Sequence, residues 1–209
     1  MSVVEIDTPH GPAKAHLQLA DEAHSALVLG HGAGGGVEAP DLVAAADAAL
    51  AEGVSVALVE QPYRVAGRRS PAPARQLDTA WVAVIEHLRK AELNGLSLVI
   101  GGRSLGARVA CRTVTETGAA GVLCLAFPLQ PPRRRQGTTP PSRLDELDDV
   151  TVPVLVVQGA SDPFGMPPPS ATRTVVEVAG NHSLRTDLPA VAAAVREWLP
   201  GVVARYVHG

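Results

Sequence analysis

The stretch Leu98-Val99-Ile100-Gly101-Gly102-Arg103-Ser104-Leu105-Gly106 limits what the chain can be more than any other. A short apolar run stops at glycines, and helix formers follow in Ala107-Arg108-Val109-Ala110-Cys111. That pattern predicts a buried strand, a very tight turn and a helix start. Ser104 sits at the turn between Gly102 and Gly106, in the form G-x-S-x-G. A serine so placed is held in a strained backbone conformation with its hydroxyl pushed out of the strand end. A Cβ two residues to either side would strike neighbouring backbone. The amide of Leu105 then opens the helix as a free N–H able to meet developing negative charge. Twenty glycines in 209 residues make the bare motif easy to meet by chance. The strand before it and the helix after it therefore carry the reading, and the rest of the chain must supply a histidine, an acid and a second donor.

The histidine and the acid come in a definite order. Pro153-Val154-Leu155-Val156-Val157 predicts a strand leading into Gln158-Gly159-Ala160-Ser161-Asp162-Pro163, which puts Asp162 just past a strand end. An aspartate before proline is also a common turn former. Thr174-Val175-Val176-Glu177-Val178 predicts the last strand, and His182 lies on the loop beyond it. Serine, acid and histidine thus follow one another as Ser104, Asp162 and His182. The second donor is expected from His31-Gly32-Ala33-Gly34-Gly35-Gly36, which leaves the apolar strand Ser25–Gly30. Its H-G-x-G form lets backbone N–H groups turn toward the strand ends, with Ala33 as the first choice of donor and Gly34 the second. His31 reads as a structural hydrogen-bonding residue. A phosphate cradle is the competing reading of this loop, but no Gly-Lys-Ser/Thr follows it.

The remaining elements follow from periodicity. Val3–Ile6 and Ala13–Leu19 predict a hairpin around His10-Gly11-Pro12. Pro40–Glu52 predicts an Ala-rich helix and Val54–Val59 a buried strand. Glu60–Arg75 reads as a loop at the serine's edge of the sheet. Its Arg64, Arg68 and Arg69 are either a solvated surface or a contact for a negatively charged substrate group. Gln76–Glu92 is the clearest helix, with Leu77, Trp81, Val84, Ile85 and Leu88 on one face as core. Leu105–Thr117 continues the elbow as a helix, and Gly121–Phe127 predicts another buried strand. The segment from Phe127 to Asp149 reads as a loop near the site, with a short helical turn over 142–147 and a solvated arginine run at Arg133–Arg135. Asp187 is the expected N-cap of a final helix with Val191, Val195, Trp198 and Leu199 on its apolar face. Phe164 and Met166 are candidates for lining a pocket.

Composition narrows the function. The length suits one domain spanning 1–209. A formal charge of −3 and only 3 % aromatic residues argue against a nucleic-acid binder. Cys111 and Cys124 read as small buried hydrophobes in a reduced protein. No leader and no run near ~18 apolar residues is found, so a soluble cytoplasmic protein without membrane contact is expected.

Taken together, G-R-S-L-G at 102–106, H-G-A-G-G-G at 31–36, Ser161-Asp162-Pro163-Phe164-Gly165 and Gly180-Asn181-His182 resemble the α/β-hydrolases over nearly the whole chain. More narrowly, Gln61-Pro62-Tyr63-Arg64 and Phe127-Pro128-Leu129-Gln130-Pro131-Pro132 are similar to a small, nearly lidless subfamily labelled dienelactone-hydrolase-like or predicted esterases. The resemblance implies a mostly parallel central sheet flanked by helices, with minimal or no lid. It implies a serine hydrolase of a small acyl substrate, with Ser104 as nucleophile, His182 as base, Asp162 as its partner, and the Leu105 and Ala33 amides as oxyanion hole. No metal or organic cofactor is called for. True dienelactone hydrolases use a cysteine, and residue 104 is serine, so that substrate does not carry over. The subfamily also resembles non-catalytic scaffold proteins of chromatin complexes, which makes a binding protein the alternative. An acyltransferase would use the same residues, and phosphate-ester recognition through the glycine loop and arginines is a weaker third reading.

Overall fold

The computed structural model describes residues 2–131 and 140–204. Eight strands form one sheet: β1 (Ser2–Thr8), β2 (Gly11–Gln18), β3 (Ser25–Gly30), β4 (Ser55–Glu60), β5 (Ser97–Arg103), β6 (Gly121–Leu125), β7 (Val154–Gly159) and β8 (Arg173–Val178). Their spatial order is β1-β2-β4-β3-β5-β6-β7-β8. The β1–β2 hairpin is antiparallel and joins β4 antiparallel, while every pairing from β4 through β8 is parallel. This is a mostly parallel α/β sheet, as expected.

The central strands are apolar throughout because both faces are covered. Successive residues of β3 alternate between two cores. Ala26 and Val28 face one and Leu27 and Leu29 the other. The first core holds α3 (Ala74–Lys90) and α4 (Leu105–Thr117), and the second holds α1 (Pro40–Ala51) and α6 (Leu188–Val203). The α3 stripe of Leu77, Trp81, Val84, Ile85 and Leu88 is buried in the first core as the spacing demands. Asp187 caps α6, its side chain accepting from the Ala190 amide at 3.0 Å. Cys111 and Cys124 are free and buried, with their sulfurs 3.6 Å apart.

Several boundaries differ from expectation for local reasons. The loop Glu60–Arg75 carries a one-turn helix, α2 (Pro62–Val65), started by Pro62, whose fixed φ suits a first helical position. Strand β6 stops at Leu125 rather than Phe127 because Ala126 turns to φ 52°. Strand β7 runs two residues past Val157, carrying the polar Gln158 into the sheet. Between β6 and β7 the described residues hold only a short helix, α5 (Leu144–Asp148). Arg108 and Arg112 of α4 tie α5 down through Glu146. The Arg133–Arg135 run lies outside the described residues. Among the described residues no helix is long and apolar enough to cross a membrane.

Parallel strands present their carboxyl ends at one edge, and the sheet reverses its winding between β4 and β5 around β3. Ligands of open α/β sheets bind at such a reversal. The loops after β3, β4, β5, β7 and β8 all leave from that edge. They bring Ala33, Tyr63, Ser104, Asp162 and His182 to one side of the molecule.

Candidate active site

Ser104 stands between β5 and α4 with φ 51° and ψ −101°, a backbone conformation that a non-glycine residue avoids. The elbow holds because its neighbours leave no alternative. Gly30 of β3 lies beside Gly102 of β5 in register. A Cβ on Gly102 or on Gly106 would run into the Gly30 carbonyl. The two glycines therefore let β5 and α4 close onto β3 at the point where the chain reverses. The Ser104 amide is taken by the Leu125 carbonyl at 2.8 Å, which pins the turn to β6. Leu105 is the first residue of α4, and the first N–H groups of a helix have no partner within it.

His182 Nε2 is 3.0 Å from Ser104 Oγ, and its Nδ1 is 2.8 Å from Asp162 Oδ2. A carboxylate only accepts, so Nδ1 carries the proton and Nε2 is left to accept from the serine hydroxyl. The Asp162 side chain is 1 % exposed, and both of its oxygens are hydrogen-bonded. The Phe164 amide donates to Oδ1 at 2.8 Å, and Gln158 Nε2 lies 2.8 Å from Oδ2. The same Gln158 nitrogen faces the Phe127 and Gly165 carbonyls at 3.0 and 2.9 Å, so its two N–H groups meet three acceptors. Phe164 meets the imidazole edge-on, with ring centroids 4.5 Å apart. It packs against the histidine itself, a more direct role than the pocket lining expected of it.

The glycine loop after β3 comes down beside the serine. A Cβ on Gly32 would stand 3.8 Å from Ser104 Cβ. Gly32 and Gly35 close a turn, the Gly35 amide bonding the Gly32 carbonyl at 3.3 Å. Ala33 and Gly34 are the middle residues of that turn. Among the described residues neither of their N–H groups has an intramolecular acceptor.

The segment after β4 holds this loop from behind. Tyr63, 4 % exposed, donates its hydroxyl to the Ala33 carbonyl at 3.0 Å. Burial pushes its phenol up to about 12, so it remains a donor. His31 Nε2 accepts from the Gln61 amide at 3.1 Å, which leaves Nδ1 as donor to the Gly32 carbonyl at 2.8 Å. Burial lowers the His31 pKa and keeps the ring neutral, as this bonding requires. The structural role expected of His31 is the one found. Arg64 turns back to the Arg68 carbonyl at 3.5 Å, and Arg68 and Arg69 are exposed. Arg68 borders a small pocket of about 80 Å³ with His10 and Gln76, and none of Ser104, Asp162 and His182 lines it.

Sequence reading missed Gln158, Tyr63 and Arg103. The one available signal was polarity out of place. Gln158 is the one polar side chain of β7 and is fully buried, where an unpaired donor is costly, and its Nε2 meets three acceptors.

A family model described as an alpha/beta hydrolase domain matches residues 23–187. The chain resembles a lidless α/β serine hydrolase from Xanthomonas campestris at 18 % identity and TM-score 0.74, over 97 % of this chain and 94 % of that one. It resembles Est1E from Butyrivibrio proteoclasticus at 17 % identity and TM-score 0.76, over 98 % of this chain and 100 % of that one. It also resembles a dienelactone hydrolase from Anabaena variabilis at 16 % identity and TM-score 0.76, over 97 % of each chain. At such identities the likeness is one of fold. No curated protein matches the sequence.

Proposed function

Because the chain belongs to the alpha/beta hydrolase domain family, we propose that it is a serine hydrolase cleaving an ester, thioester or similar small acyl substrate. The observation that carries the reading is the unbroken chain of contacts from Ser104 Oγ through both His182 nitrogens to Asp162, built from three separate strand ends. Ser104 Oγ attacks the acyl carbon while its proton passes to His182 Nε2. Asp162 holds the Nδ1–H and stabilises the imidazolium that forms. The Leu105 and Ala33 amides take the oxyanion, each worth about 3 kcal/mol of barrier. Collapse breaks the bond to the leaving group, which takes the proton from Nε2. Water then enters by the same route to release the acid and free the serine.

A fluorophosphonate probe tests this directly, because it reacts with an activated serine whatever the natural substrate. We expect one adduct per chain, on the peptide containing Ser104. A folded sample that takes no probe would leave the scaffold alternative standing. In a series of p-nitrophenyl esters, the chain length that reacts fastest would report the depth of the acyl site.

The hold of Tyr63 on Ala33 predicts a smaller effect on the same reaction. Tyr63→Phe leaves the ring packed and removes one hydrogen bond, at about 1 kcal/mol of stability. It also frees the Ala33–Gly34 peptide, which carries the Gly34 N–H, and so loosens the turn beside the Ala33 amide. A kcat lowered roughly tenfold at unchanged KM is expected, less than the loss of a whole oxyanion donor. Steady-state kinetics decides, and an unaltered kcat would detach Tyr63 from the oxyanion loop.

A further inference from the structure

Arg103, the residue before the nucleophile, makes contacts that the reaction above does not use. Its Nε stands 3.0 Å from Asp41 Oδ2. Asp41 lies in the first turn of α1 and is completely buried. Neither carboxylate oxygen has an aligned hydrogen bond among the described residues. Its charge is held first by the guanidinium, with the Asp41 and Leu42 N–H groups at the head of α1 adding to it. Burial raises the Asp41 pKa, and Arg103 pulls it the other way. The Arg103 Nη2 donates to the main-chain carbonyl of His182 at 3.0 Å. Its Nη1 faces Gly32 so closely that a Cβ there would lie 2.9 Å away.

We propose that Arg103 is a positioning residue that sets the His182 loop and the oxyanion loop against Ser104 at once, with buried Asp41 as its anchor. The guanidinium is planar, so fixing Nε on Asp41 fixes the directions of both Nη groups. One of them fastens the peptide that carries the base. The other forms the floor on which Gly32 lies, one residue before Ala33. The side chain itself leaves the main chain next to Ser104. Nucleophile, base and oxyanion loop are thereby referred to one rigid group, although they come from three different loops. A lysine could keep the charge beside Asp41, but its single ammonium would not also span to the His182 carbonyl and floor Gly32. This inference rests on the hydrolase reading.

The test compares wild type with Arg103→Lys, Arg103→Gln and the double variant Asp41→Asn/Arg103→Gln. Three quantities are read: p-nitrophenyl acetate kinetics, the thermal midpoint, and the downfield proton resonance of His182 Nδ1–H. A clamp predicts that Arg103→Lys melts close to wild type with kcat lowered about 10²-fold, the scale of a small misplacement of reacting groups. KM should not change, and the His182 resonance should broaden through faster exchange. The double variant should regain the stability that Arg103→Gln loses, because no unpaired buried charge remains, without regaining kcat. Recovery of both in the double variant would show that Arg103 only neutralises Asp41, and would overturn the proposal. A raised KM at unchanged kcat would overturn it too, by making Arg103 a substrate contact. If wild type neither hydrolyses the ester nor takes a fluorophosphonate, the hydrolase reading fails by itself. The resonance then decides the clamp, and an unchanged signal in Arg103→Lys overturns it.

Discussion

Ser104→Ala is expected to cut ester hydrolysis by on the order of 10⁴- to 10⁶-fold at unchanged KM, since it removes the proposed attacking oxygen and leaves the rest of the site in place. His182→Ala should cost about as much. The double variant should be no worse than either, because the two groups act as one device and their losses do not add. Additive losses would mean that the 3.0 Å contact between them is not used in the reaction. Ser104→Gly should be equally inactive, yet more stable than Ser104→Ala. At φ 51° and ψ −101° the serine and alanine backbones are strained, at a cost of about 1–3 kcal/mol that glycine does not bear. The greater freedom of glycine in the unfolded chain takes back about 0.5–1 kcal/mol. A net gain near 1 kcal/mol by urea unfolding is the expected result. A glycine variant no more stable than the alanine would show that the elbow holds no strain.

A large effect on stability is expected at Gly106. By helix propensity alone, Gly106→Ala within α4 should help by about 1 kcal/mol. The added Cβ, however, would lie 2.6 Å from the Gly30 carbonyl carbon and 3.0 Å from the His31 carbonyl oxygen. Both are backbone atoms of β3 and its following loop, so neither can rotate aside. Overpacking against rigid backbone outweighs propensity, and a net loss of about 3 kcal/mol or more is expected. Gly34→Ala is the control, because nothing stands within 4 Å of its Cβ position. Its stability should stay within about 0.5 kcal/mol of wild type. Unfolding curves decide, and a stable Gly106→Ala would mean that α4 can slide away from β3 at little cost.

The two predictions share one cause. The turn at Ser104 is strained because α4 must start within contact of β3, and that contact requires glycine at 102 and 106. Strain at Ser104 and close packing behind it are one feature seen from two sides. The hold of Tyr63 and His31 on the glycine loop extends the same contact region to the loop after β4. It also accounts for Tyr63 in the Gln61-Pro62-Tyr63-Arg64 segment. Tyr63 lends its hydroxyl and Gln61 its main-chain N–H, while Pro62 starts the turn that brings them there.

Much of this protein was readable from its chain alone. Apolar runs bounded by glycines located the strands, and a 3.6-residue stripe located α3. The order of Ser104, Asp162 and His182 matched the order in which a parallel sheet offers its strand ends. These features are local, or depend only on the order of elements, and one-dimensional patterns carry both. Tertiary structure alone decided which side chains hold the site in place. Arg103 reaches Asp41 and the His182 carbonyl, Tyr63 reaches Ala33, and Gln158 divides two N–H groups among Phe127, Asp162 and Gly165. Most of these partners are far apart in sequence, and no periodicity links them. They meet because burial makes an unpaired polar group costly, and the direction each turns to depends on the folded backbone.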